Sequence, residues 1–211
     1  MNGLKEKLEN CNLCPLLSGI DYALPRIKNG DGIKVMIIGE APGKEEATTH
    51  MSFVGRSGEE LNRWVSYLHL NNYYITNVVK HRPAFINPEN GHKKDRPPSE
   101  KEISACKQYL EDEIKTVKPD LIITLGYSAS HGLESDVPNG SGIPNIPISR
   151  SIPDHIQNPH YYRDTKIRIL NLFHPSYILR EYNMPDDKII TNHMHYLEQV
   201  YNIIEEMKGG E

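Results

Sequence analysis

Apolar residues fall into four continuous runs of strand length, each closed by a turn, with amphipathic stretches between them. The run GIKVMIIGE (residues 32–40) has no polar face, the pattern of a strand buried between two layers. YYITNVV (73–79), KPDLIITLG (118–126) and KIRILNLF (166–173) read the same way. Between them, SGEELNRWVSYLHL (57–70) places Leu61, Trp64, Val65 and Leu68 at helical spacing, with Ser57 as the expected N-cap. SEKEISACKQYLEDEIKTV (99–117) opens with Ser99 and Glu102 in a capping box. SASHGL (128–133) starts a short helix, and residues 187–207 form a long closing one. Strands alternating with helices predict one α/β domain over residues 1–211. Its architecture is three-layer α/β/α around a central, mostly parallel four-stranded sheet. The segment Glu134–Asp164, rich in Pro, Asn, Gly and Ser, is expected as one long connection.

Ligands of such sheets collect at the carboxyl ends of the strands. Those ends carry Gly39-Glu40-Ala41-Pro42-Gly43, Thr76-Asn77, Gly126 and Phe173-His174-Pro175-Ser176, so these four tips should meet at one cleft. Glu40, Asn77 and His174 are its candidate polar groups.

Charge and cysteine content narrow the picture. The chain has 211 residues and a net charge of −4, so as a whole it is not a basic nucleic-acid binder. Local patches decide steering, and basic residues gather in KHRP (80–83) and GHKKDR (91–96). No run approaches the roughly 20 apolar residues of a membrane span, and MNGLKEKLEN lacks an apolar signal region, so a cytoplasmic protein is expected. Three cysteines argue against a disulfide framework, and Cys11-Asn12-Leu13-Cys14 reads as a metal or redox site.

Taken in order, GEAPG (39–43), FVGRSGEEL (53–61), YITNVVKHRP (74–83), KPDLIITLG and HPSYILR (174–180) resemble the uracil-DNA glycosylase superfamily. The resemblance is to its iron–sulfur family 4 type and runs from Cys11 to Arg180. It implies a monofunctional, monomeric enzyme that hydrolyses the N-glycosidic bond of a base flipped out of single- or double-stranded DNA. Phe53 would stack on the base, and Asn77 would read its Watson–Crick edge. His174 would stabilise charge developing on a base oxygen. Ala41 stands where many relatives carry a water-activating Asp, which leaves Glu40 to orient water and Glu46, with Ala41 and Gly43, to shape the pocket. Arg56, Ser57, Ser176 and Arg180 would contact the DNA backbone, and Ile178-Leu179 would wedge into the stack.

The resemblance also gives Cys11, Cys14, His81 and Cys106 as ligands of a [4Fe-4S] cluster. His81 replaces the fourth cysteine, as in a branch of the superfamily that traps uracil-DNA covalently. Three Cys and one His equally permit zinc. Other features depart from the family pattern. Asp95 stands where the covalent branch has a nucleophilic histidine, with His92 nearby but displaced. The segment GKEEATTHMSFVG (43–55) lacks the usual Glu-Asp pair and Gly-x-Pro. With the long Glu134–Asp164 connection, it points to an alternative: excision of a bulkier, phage-type modified base in antiviral defence. A non-catalytic or covalent damaged-DNA binding module is the further alternative.

Overall fold

The computed structural model describes residues 2–14, 21–134, 148–182 and 188–209. The chain runs through α1 (Asn2–Glu9), β1 (Arg26–Lys28), β2 (Val35–Gly39), α2 (Lys44–Thr49), α3 (Arg56–Tyr67) and β3 (Tyr73–Asn77). A hairpin of β4 (Ala84–Ile86) and β5 (Lys93–Asp95) precedes α4 (Glu100–Val117), β6 (Leu121–Leu125) and α5 (Tyr127–Glu134). After α6 (Ile148–Gln157) come β7 (His160–Tyr161), β8 (Arg168–Leu172), α7 (Pro175–Glu181) and α8 (Lys188–Gly209).

The main sheet has six strands in the order β1-β3-β2-β6-β8-β7, two more than the pattern predicts. The four expected strands form its parallel centre, and β1 and β7 add antiparallel edges. These edges are only three and two residues long, too short to produce a readable alternation. Alternate residues of β2 divide the core. Val35 and Ile37 pack with Trp64, Leu68, Ile178 and Leu197 on one side. Met36 and Ile38 pack with Ile103, Leu110 and Leu133 on the other. Both faces of the central strands are therefore dry, which is why they read as unbroken apolar runs.

Helix ends follow local chemistry, with one correction. Ser99 and Glu102 form the expected capping box of α4. The N-cap of α3 is Gly55 rather than Ser57. The helix begins early because its first turn lies against the backbone of Phe53: a Cβ on Gly58 would sit 2.0 Å from the Phe53 carbonyl oxygen. The Glu134–Asp164 connection is also corrected. Residues 135–147 lie outside the described residues, but the remainder holds α6 and β7, with Ile152 fully buried in the core. Among the described residues no helix is long and apolar enough to cross a membrane.

Candidate active site

Three of the four expected strand tips, those of β2, β3 and β8, meet in a cleft of about 440 Å³, whereas Gly126 at the tip of β6 lines an adjoining pocket. Glu40, Ala41, Gly43, Glu46, Phe53, Arg56, Ser57, Asn77, His174 and Ser176 all line the cleft. Gly39 lies directly behind two of these lining residues. A Cβ there would lie 2.4 Å from the Phe53 ring and 2.5 Å from Asn77 Oδ1, so the ring and the amide close over this one residue. Register explains the meeting, because Gly39 and Asn77 are neighbours across the parallel pair β2–β3.

Phe53 is held in a conformation it would not choose. Its φ of +56° is in the left-handed region, uncommon for a bulky side chain and costing on the order of 1–3 kcal/mol. Glu46 holds it there, because its carboxylate accepts the Phe53 N–H and, at 2.7 Å, the Gly43 N–H. Arg26 donates to the Phe53 carbonyl at 3.1 Å. Burial raises the Glu46 pKa, opposed by the two backbone N–H groups it accepts, while Asp95 and Glu45 push it further up. Glu46 thus acts on the pocket by clamping the loop that presents Phe53.

His174 is the N-cap of α7, and its Nδ1 accepts the Ser176 N–H at 3.1 Å. A backbone amide can only donate, so Nδ1 carries the lone pair and the neutral ring bears its proton on Nε2. The Ser176 hydroxyl lies 2.8 Å from the same Nδ1, so Ser176 is engaged in fixing this ring. Burial, with a smaller contribution from the Arg180 charge, lowers the His174 pKa to about 4. The side chain is therefore a neutral N–H donor at ordinary pH. Its ring centroid is 6.1 Å from that of Phe53.

The remaining expectations divide. Ile178 is fully buried in the core and is not a wedge. Leu179 is half-buried on the same short helix and does not line the cleft. Arg180 lines an adjoining pocket that shares Glu40, His174 and Ser176 with the cleft, and its guanidinium lies 5.8 Å from the Tyr177 ring centroid. His92 is exposed near the turn of the β4–β5 hairpin and outside the cleft lining, whereas Asp95 lines the cleft and pairs with Arg82 at 2.6 Å.

A buried ion pair beneath the site was not read from the sequence. Lys80 Nζ donates to Glu113 at 2.6 Å, to Thr76 Oγ1 at 2.9 Å and to the Asn77 carbonyl at 2.6 Å. Both partners are nearly inaccessible, at 1% and 5% side-chain exposure, so the pair ties α4 to the end of β3. The signal was available: Lys80 closes an apolar strand, and Glu113 falls among the apolar positions of its helix.

Four residues beyond Asn77, the chain reaches the cysteine corner. Cys106 and His81 are buried, while Cys11 and Cys14 are half-buried. Burial pushes the Cys106 thiol up to about 11, against the Lys80 backbone N–H, and Cys14 and Cys11 add to the rise. The Tyr109 hydroxyl hydrogen-bonds Cys11. His81 Nε2 lies 3.1 Å from the Leu8 carbonyl, which leaves Nδ1 as the nitrogen able to ligate, the usual arrangement of a metal-binding histidine. Three thiols and one imidazole nitrogen form a donor set of the kind that holds an iron–sulfur cluster or a zinc ion.

Comparison with known proteins agrees with this geometry. The model of the uracil DNA glycosylase superfamily matches residues 27–198. A type-4 uracil-DNA glycosylase of Thermotoga maritima is 32% identical over 182 residues, covering 85% of this chain and 83% of that protein. One from Sulfurisphaera tokodaii is 30% identical, covering 86% and 76%. One from Pyrobaculum aerophilum is 38% identical over 135 residues, and the match spans 62% of each chain. With the family model covering the sheet, the cleft and most of the helices around them, the chain belongs to the uracil DNA glycosylase superfamily.

Proposed function

We propose that this protein excises uracil from DNA, leaving an abasic site. The observation that carries the reading is the convergence on Gly39 of a ring and an amide, with a neutral imidazole beside them. A flipped uracil has two flat faces for Phe53, and an edge that both donates and accepts hydrogen bonds for Asn77. Breaking the glycosidic bond places negative charge on the base and positive charge on the sugar. His174, on the cleft wall with its proton on Nε2, would be a donor that strengthens as the base oxygen gains charge, and the surrounding burial raises its effect. Glu40, which lines the cleft together with His174, orients the attacking water and faces the sugar cation. Arg56 and Ser57, at the start of α3, take a phosphate.

Cys11, Cys14, His81 and Cys106 would hold a [4Fe-4S] cluster through three thiolates and His81 Nδ1. Bound there, the cluster serves as a structural pin between α1, α4 and the segment after β3. The histidine is the feature shared with the covalent-trapping branch, yet the cleft presents Asp95 and not His92, so turnover rather than trapping is the expected outcome. The test is a base-excision panel of uracil-containing, unmodified and hypermodified oligonucleotides, scored for abasic sites. Release from the uracil substrate with multiple turnovers is expected. Release from the hypermodified substrate alone, or a stable protein–DNA adduct, would contradict the reading. Stoichiometric zinc without iron in the purified protein would contradict the cluster.

A further inference from the structure

An enzyme that extracts a base from a duplex must fill or pry open the step it leaves, and the apolar pair expected to do so on α7 is largely withdrawn from the surface. Ile178 is in the core, and Leu179 is half-buried. Of the large apolar side chains described, Phe85 and Ile86 are the most exposed, at 63% and 65%. They are adjacent on β4, in a two-stranded hairpin not joined to the main sheet. Such a hairpin is marginal by itself. Here three ion pairs brace its second leg: Lys93 with Asp21, Asp95 with Arg82 just before the first strand, and Arg96, one residue past the second strand, with Glu102.

The hairpin is rooted in the active site, since Pro83, Asp95 and Arg96 at its base line the cleft. Each exposed apolar residue faces a cation across the ladder, Phe85 opposite Lys94 and Ile86 opposite Lys93. The Arg96 guanidinium lies 5.5 Å from the centroid of the Phe85 ring. Exposed apolar side chains among lysines, continuous with a cleft for a flipped nucleotide, fit a polyanion with stacked bases. An apolar protein groove would match the Phe and Ile but not the cations.

We propose that the β4–β5 hairpin enters duplex DNA beside the flipped nucleotide, Phe85 stacking into the opened step and Lys94 meeting the flanking phosphate. The proposal rests on the DNA glycosylase reading. It adds that the protein carries its own opening device for duplex substrates. A single strand needs no wedge, so the ratio of duplex to single-strand excision isolates the effect.

The test compares wild type with Phe85→Ser/Ile86→Ser, Phe85→Leu and Lys94→Glu. Each protein is given the same uracil in duplex and single-stranded form, with 2-aminopurine next to the uracil reporting unstacking on binding. For the double serine variant, the duplex-to-single-strand ratio should fall tenfold or more and the fluorescence rise should disappear. Phe85→Leu should stay within about threefold of wild type, showing that apolar bulk matters. Lys94→Glu should weaken duplex binding about tenfold with the apolar pair intact. Wild-type ratio and fluorescence in the double serine variant would overturn the proposal while leaving the glycosylase reading intact. A wild-type protein that brightens 2-aminopurine without releasing uracil would overturn the glycosylase reading and support the hairpin. A wild-type dimer dissolved by the serine substitutions would overturn the hairpin proposal and reassign the surface to self-association.

Discussion

The cleft and the cysteine corner lie at opposite ends of one short segment, Asn77 to His81, yet they are held by different means. The cleft is organised by the chain's own hydrogen bonds: Glu46 on the Phe53 and Gly43 amides, the Ser176 amide on His174, and Lys80 on the Asn77 carbonyl. At the corner, burial disfavours the thiolate form of Cys106. A cation reverses that balance. One region is thus preorganised by folding, whereas the other offers donors that the proposed cluster would bring together. Their common support is the buried Lys80–Glu113 pair, and the Lys80 backbone N–H also hydrogen-bonds Cys106.

The comparison can be broken most severely from the corner. Cys106→Ser should abolish the iron content and lower stability by several kcal/mol, because metal binding and folding are coupled at such sites. Iron analysis and thermal melting of the purified variant check this. An unchanged melting point would mean that the corner is as self-sufficient as the cleft.

The cleft should fail differently. Gly39→Ala places a methyl group against Phe53 and Asn77, and uracil release should fall by about 10², or roughly 3 kcal/mol of transition-state stabilisation. Iron content should remain at the wild-type level. Single-turnover kinetics and metal analysis on the same preparation separate the two effects.

Acid gives the smallest signal. His174 is held near 4, so it stays neutral and keeps its Nε2–H donor from pH 8 down to 5. The His174-dependent rate should change less than about twofold over that range, where an ordinary imidazole would titrate near 6.5. The linkage to stability has the opposite sense to a salt-bridged histidine. A lowered pKa contributes stability fully above about 6.5, and that contribution is lost as pH falls through about 4. A pH–rate profile set beside pH-dependent melting curves reads both.

Much of this was legible in the sequence, for identifiable reasons. The parallel strands are legible because both their faces are dry, and their tips point to Glu40, Asn77 and His174. The edge strands were hidden by their brevity. The gap left for α6 was hidden by a composition typical of loops, although Ile152 and Ile156 pack on the core. The Phe53 clamp was out of reach because it depends on a left-handed backbone and on a contact from Glu46, seven residues earlier. HPSYILR shows two apolar residues in a row but not which one the core takes. Three-dimensional packing took Ile178.

The most direct measurement is single-turnover release of uracil from a defined oligonucleotide by wild type and His174→Ala, side by side. Wild type should release the base and leave an abasic site. The variant should be slower by 10² to 10³, the usual cost of losing one preorganised donor, while still folding cooperatively with at most the small drop in melting point that a lost helix cap brings. Equal rates in the two proteins, or no release by wild type, would contradict the account.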